Sequence, residues 1–284
     1  MKSSTTVRTI AAFAVAVGLT ATIAVPAQAK GGATGGYGTI VGFSDFPSSP
    51  VLAGSVVFGR MNDSLFVGDW DGDGRDSLAA RRGNTYYLQP ETTAAYTDRA
   101  VSYGKTTDET YVGDWDGDGV ATLAVRRGST FHFTNRWEGG KADFSIAFGR
   151  SGDRIFVGDW DGDGRDSLAI LRNGLFHITN DLSTARTARV VDVEARFPTA
   201  LITVGDWDGD GEDTLGFRFP YAPPRQQGHS DWALYNDLEM TQPATGTDRY
   251  GLQFRYGPGT GAAFAGDWDG DGKDTLGGRG GGSF

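Results

Sequence analysis

The sequence predicts an all-β protein, a β-propeller of five four-stranded blades with the last blade closed by amino-terminal strands. Three observations lead there. The heptapeptide Gly-Asp-Trp-Asp-Gly-Asp-Gly occurs five times without change, beginning at Gly68, Gly113, Gly158, Gly205 and Gly266. The steps between copies are 45, 45, 47 and 61 residues, the period of a stacked or circular array. Short β-prone runs separated by glycine turns fill each unit.

Residues 1–29 read as a secretory signal peptide. Lys2 and Arg8 precede an apolar run from Ile10 to Val25, and Ala27-Gln28-Ala29 supplies a small-x-small cleavage site. The alternative, a membrane anchor, needs ~20 apolar residues, and this run has 16. No other stretch is long enough to span a bilayer, so a secreted protein with no membrane span is expected. Residues 30–37 are glycine-rich and read as a flexible leader to a single propeller domain at 38–284.

The unit is clearest in the first copy. Phe66-Val67 leads into the loop as one strand, and Leu78-Ala79-Ala80-Arg81 leaves it as a second. Gly83-Asn84 makes a turn, Thr85-Tyr86-Tyr87-Leu88 forms a third strand, and a fourth runs around Ala100 to Tyr103. Gly83 to Gly104 is 21 residues, as are Gly128 to Gly149 and Gly38 to Gly59. Gly38 to Gly59 is therefore the second half of a blade. Phe264 to Arg279 is a first half at the opposite end, and joining the two closes the ring and removes the sheet edges. The fourth copy carries a proline-rich insertion, Phe219 to His229, read as a projecting loop.

Composition narrows the chemistry. There is no cysteine, so no disulfide can support an exported chain. The chain has 26 basic and 36 acidic residues, and 19 of the acids are aspartates of the five loops. The acidity is thus a local property of the loops. No basic tract or aromatic platform points to nucleic acid.

Within each loop, aspartates occupy positions 1, 3 and 5, with glycine at 6. These are Asp69, Asp71 and Asp73; Asp114, Asp116 and Asp118; Asp159, Asp161 and Asp163; Asp206, Asp208 and Asp210; Asp267, Asp269 and Asp271. Alternate carboxylates on a tight turn converge on one point, and hard oxygen donors at this spacing favour calcium, about five ions in all. The main-chain carbonyl at position 7 is a further candidate ligand, at Arg75, Val120, Arg165, Glu212 and Lys273. An EF-hand is excluded, because position 12 is Ala80, Val125, Ile170, Phe217 or Gly278, and a strand follows the loop.

The Asp-x-Asp-Gly-Asp-Gly loop, with Phe58-Gly59, Tyr103-Gly104, Phe148-Gly149 and Tyr256-Gly257 upstream, resembles the FG-GAP or VCBS repeats of integrin-like and bacterial secreted β-propellers. Copy four departs, with Phe197-Pro198. The resemblance spans roughly residues 38 to 280 and implies structural calcium. It also implies a carboxylate at position 9, where this chain has Ser77, Thr122, Ser167, Thr214 or Thr275. The acid falls one residue earlier, as Asp76, Asp166, Asp213 and Asp274, while copy two has Ala121. The shifted aspartate, a hydroxyl or a water can complete the shell, and site two is expected to bind weakest.

Trp70, Trp115, Trp160, Trp207 and Trp268 lie between the first two ligands and should pack into neighbouring blades; a sugar-stacking surface is the alternative. Arg81, Arg126, Arg218 and Arg279 recur at the end of the second strand, where they cover neighbouring acids or form a ring for an anionic ligand. Tyr87, His132 and His177 share a third-strand position on the face opposite Tyr86, Phe131 and Phe176. With Arg81, Arg126, Tyr221 and Arg225 they are the candidate ligand-binding residues. There is no nucleophile elbow, no cysteine, and only a lone Gly-His-Ser-Asp cluster at His229, so catalysis is not expected. The expected function is a non-catalytic binding module for glycans or cell-wall polymers, which the resemblance implies. A protein-interaction scaffold or adhesin is the alternative, and a hydrolase a more remote one.

Overall fold

The structure, a computed structural model, describes residues 33–34, 39–43, 52–60, 63–89, 99–193, 200–219, 230–241, 252–256 and 262–280. The expected signal peptide, and Tyr221 and Arg225 of the copy-four insertion, lie outside these residues. The described residues contain strands and turns and no α-helix.

Five antiparallel sheets follow one another along the chain. In the first, β1 (Ala33–Thr34), β4 (Ser64–Gly68), β5 (Ser77–Arg82), β6 (Thr85–Gln89) and β7 (Arg99–Ser102) lie in that order. The second contains β8 (Glu109–Gly113), β9 (Thr122–Arg127), β10 (Thr130–Phe133) and β11 (Phe144–Ala147). The third contains β12 (Arg154–Gly158), β13 (Ser167–Arg172), β14 (Leu175–Thr179) and β15 (Arg189–Asp192). The fourth contains β16 (Leu201–Gly205), β17 (Thr214–Phe219), β18 (Ser230–Leu234) and β19 (Leu252–Tyr256).

In the fifth, β20 (Ala262–Gly266) and β21 (Thr275–Gly280) are joined by β2 (Thr39–Phe43) and β3 (Leu52–Val57). The join is antiparallel, with Ile40 opposite Arg279 and Val41 opposite Gly278. Ala33 and Thr34, inside the segment expected as a flexible leader, pair instead with Leu65 and Ser64.

The strands β4, β8, β12, β16 and β20 neighbour one another in that order, and β20 returns to β4, a β-propeller arrangement. Burial follows from it. In the first three sheets, the strands that enter and leave each loop are buried on both faces, because a sheet lies on either side of them. Their sequences are accordingly continuous apolar runs such as Leu65-Phe66-Val67. The third strand alternates buried and half-buried residues, as in Thr85–Gln89, and the fourth is mostly exposed.

The core consists of layers between neighbouring sheets. Phe66, Trp70 and Tyr86 of the first sheet pack with Val112, Leu123 and Val125 of the second. Corresponding layers join the second sheet to the third, the third to the fourth and the fourth to the fifth. Phe264 and Trp268 close the circuit on Leu65, Val67 and Leu78 of the first sheet.

Candidate metal centres

Each heptapeptide connects the first two strands of one sheet's hairpin, so the same turn is built five times. The glycines at positions 4 and 6 make the turn possible: Gly72 and Gly74 have φ of 76° and 81°, a region that side chains rarely enter. The first aspartate then folds back over the turn. In loop one, Asp69 accepts the N–H groups of Gly72 and Gly74, both at 2.7 Å, and the same pattern recurs around Asp114, Asp159, Asp206 and Asp267. The third aspartate is held by the position-7 N–H, as in Arg75 to Asp73 at 2.9 Å.

One carboxylate oxygen from each aspartate at positions 1, 3 and 5 lies within 4.8 Å of the others, in all five loops. In four of the loops the cost of this convergence falls on the middle aspartate. Burial, then the charges of Asp73 and Asp69, hold the Asp71 carboxyl above its usual range. Asp116, Asp208 and Asp269 are raised for the same reasons, burial first and the two flanking aspartates next. At ~5 Å each carboxylate pair repels by about 3 kcal/mol at an effective dielectric near 20.

The donor set fits a hard divalent cation. Ionised carboxylates accept only, and the third aspartate of each triplet, which takes one loop N–H, retains lone pairs for a cation. An asparagine stands beside three of the triplets. Asn135, Asn180 and Asn236 donate from Nδ2 to Asp116, Asp161 and Asp208, at 2.6, 2.8 and 2.6 Å. Their Oδ1 atoms are buried and accept no hydrogen bond. Sequence reading missed these asparagines. Each stands four residues after the buried aromatic of the third strand, where the first copy has Pro90.

The aspartate at position 8 goes elsewhere. Asp76, Asp166, Asp213 and Asp274 are buried, and each reaches across to the loop of the preceding sheet in the ring, not into its own triplet. Asp166 Oδ2 accepts the Asp114 N–H at 2.8 Å, and its own N–H donates to the Asp114 carbonyl at 2.7 Å. Asp213 clasps Asp159, Asp274 clasps Asp206, and Asp76 clasps Asp267 in the same way. The fifth clasp is incomplete, because Ala121 donates its N–H to the Asp69 carbonyl at 2.6 Å but has no carboxylate to return. The missing carboxylate of copy two is therefore missing beside the main chain of loop one, not from the triplet of its own loop.

The glycine that opens each heptapeptide now has a reason. A Cβ on Gly113 would stand 2.8 Å from the Asp166 Cβ, and one on Gly68 2.8 Å from the Ala121 Cβ. The position-7 side chains complete the contact. Val120, Arg165, Glu212, Lys273 and Arg75 pack against Gly72, Gly117, Gly162, Gly209 and Gly270 of the preceding loops.

The five loop tryptophans are 2–9% exposed and belong to the inter-sheet layers, which removes the sugar-stacking alternative for them. Arg81 and Arg126 are also committed. Arg81 donates to the carbonyls of Asp108 (2.7 Å) and Lys105 (2.9 Å) in the next sheet, and Arg126 to those of Asp153 (3.1 Å) and Arg150 (2.6 Å). Arg218 is buried over Trp232. The alternative raised for these arginines, a ring for an anionic ligand, competes with these structural contacts at these three positions.

Tyr87, His132 and His177 are half-buried on β6, β10 and β14, each in a different sheet. Arg82 stacks on Tyr87 at 4.9 Å, and His132 Nδ1 lies 2.8 Å from Ser145 Oγ. The structure does not gather them into one cluster.

No family model and no curated protein matches the chain. Among solved structures it is similar to a chain of the Tc holotoxin pore of Photorhabdus luminescens. The identity is 16% and the TM-score 0.43, over 89% of this chain and 13% of that one.

Proposed function

We propose that the protein is a secreted, calcium-loaded β-propeller of the FG-GAP or VCBS kind, with five blades, acting as a non-catalytic binding module for glycans or cell-wall polymers. The observation that carries the calcium reading is the fivefold repetition of one geometry. Fifteen aspartates form five triplets, each with its oxygens within 4.8 Å, on loops that touch in sequence around the ring. Isolated acidic clusters are common on surfaces, whereas five superposable ones impose the same repulsion five times unless a cation relieves it. Five sheets in ring order, with a core layer at each junction, support the blade count.

The binding role rests on what the fold leaves over. With the tryptophans, Arg81 and Arg126 committed to the ring, the half-buried third-strand position of Tyr87, His132 and His177 is, among the described residues, a recurring polar position apart from the acidic loops. Such aromatic and imidazole groups suit hydrogen bonding and partial stacking with sugars. The test is a glycan and cell-wall polymer array probed with the purified protein in calcium and in EGTA. Calcium-dependent retention on a polysaccharide is expected. Uniform silence of the array would sink the glycan reading, and a stoichiometric protein co-purifying from secreted material would replace it with the scaffold reading.

A further inference from the structure

We infer that the position-8 aspartate is a positioning residue for the cation site of the preceding loop, so that four of the five sites are completed by the neighbouring sheet. This inference rests on the calcium reading above. The first aspartate of four of the five triplets is held twice, as Asp114 illustrates. Its carboxylate is fixed by N–H groups of its own loop, and its main-chain N–H and carbonyl are bound by the carboxylate and the N–H of the next sheet's position 8. Fixing that peptide reduces the ordering that cation binding must otherwise impose, and the added carboxylate deepens the local negative potential.

The clasp runs Asp166 to Asp114, Asp213 to Asp159, Asp274 to Asp206 and Asp76 to Asp267, the last across the closure of the ring. Occupancy of one site therefore stiffens the anchor of its neighbour, a coupling between sites with no shared ligand. The chain of clasps is interrupted once, between Asp69 and Ala121. Loop one is accordingly the weakest site, and the junction between the first two sheets is where the loop ring is least tied.

The seat for a carboxylate at 121 already exists. The Ala121 Cβ approaches Gly68 as the Asp166 Cβ approaches Gly113, 2.8 Å from a Cβ built on either glycine. The test compares the full-length chain with its Ala121→Asp, Ala121→Asn and Asp166→Ala variants. Calcium isotherms are read beside hydrogen exchange at the Asp69 and Asp114 amides. Ala121→Asn supplies an acceptor without charge, which separates positioning from simple electrostatic attraction.

Both changes at 121 should slow exchange at the Asp69 amide and tighten the weakest site by about fivefold. Asp166→Ala should speed exchange at Asp114 and weaken one site by a similar factor without changing their number. Isotherms indifferent to residues 121 and 166 would overturn this inference and leave the calcium reading standing. A wild-type chain that takes up no calcium would overturn both.

Discussion

The junctions of the first three sheets and the junction of the third with the fourth solve one problem in two ways. In the first three sheets the turn before the entering strand is built on an aspartate. Asp63, Asp108 and Asp153 accept the N–H groups of Arg60, Lys105 and Arg150 at 2.9, 2.8 and 2.6 Å. Arg82, Arg127 and Arg172 of the same sheets close on these carboxylates with two hydrogen bonds each. Arg81 and Arg126 of the preceding sheets then bind the carbonyls of the Lys105–Asp108 and Arg150–Asp153 turns.

At the third junction every polar member is replaced at once. Leu171 stands where Arg81 and Arg126 stand, Ala200 where the turn aspartate stands, and Phe219 where Arg172 stands. All three pack on the inter-sheet core. A polar clamp is viable only when complete, since one partner without the other leaves a desolvated charge or carbonyl. That is the physical reason the three positions change together.

Substitutions at these junctions sharpen the contrast. Arg126→Ala should cost most, about 3 kcal/mol, because it removes the buried guanidinium that binds the Asp153 and Arg150 carbonyls and Glu109. In a thermal melt this is a fall of roughly 5–10 °C. Leu171→Ala at the apolar junction should cost about 1–2 kcal/mol, since that side chain is only half-buried. Equal losses at the two positions would mean the two junctions do not differ in kind.

The smallest effect is a pH dependence. The Arg172 hydrogen bond and the Arg150 N–H hold the Asp153 carboxyl below its usual range, against the opposing effect of burial. A carboxylate lowered in the folded state adds stability above the unfolded value, near ~3.9, and loses it as pH falls through the folded value. Asp153→Asn should therefore flatten the loss of stability below about pH 4 in acid unfolding curves. An unchanged acid limb would show that the pair contributes little.

Much of this was legible in the sequence, and the limits are instructive. The aspartate triplets were legible because their partners lie within five residues of one another. Joining the ends was legible from matching glycine intervals, and β2 and β3 do continue the sheet of β20 and β21. The direction of Asp76 was not, because its partner Asp267 is 191 residues away and belongs to another copy of the same motif. Spacing within one loop cannot distinguish a ligand from a clasp.

The asparagine support of the middle aspartate was hidden for a different reason. It becomes visible only once the third strands are placed in register. The Asp63–Arg82 bracket did leave a signal, since both residues recur 19 apart in three copies and vanish together from the fourth.

Whether clustered aspartate oxygens, bridged by cations, hold the ring together is tested most directly by melting the full-length protein in millimolar calcium and again in excess EGTA. Five sites, each at about tenfold over its Kd, would contribute roughly 7 kcal/mol together, comparable to the net stability of a whole domain. The account predicts a fall in Tm of roughly 15 °C or more on chelation, reversed by added calcium. Superimposable melts in the two buffers would contradict it.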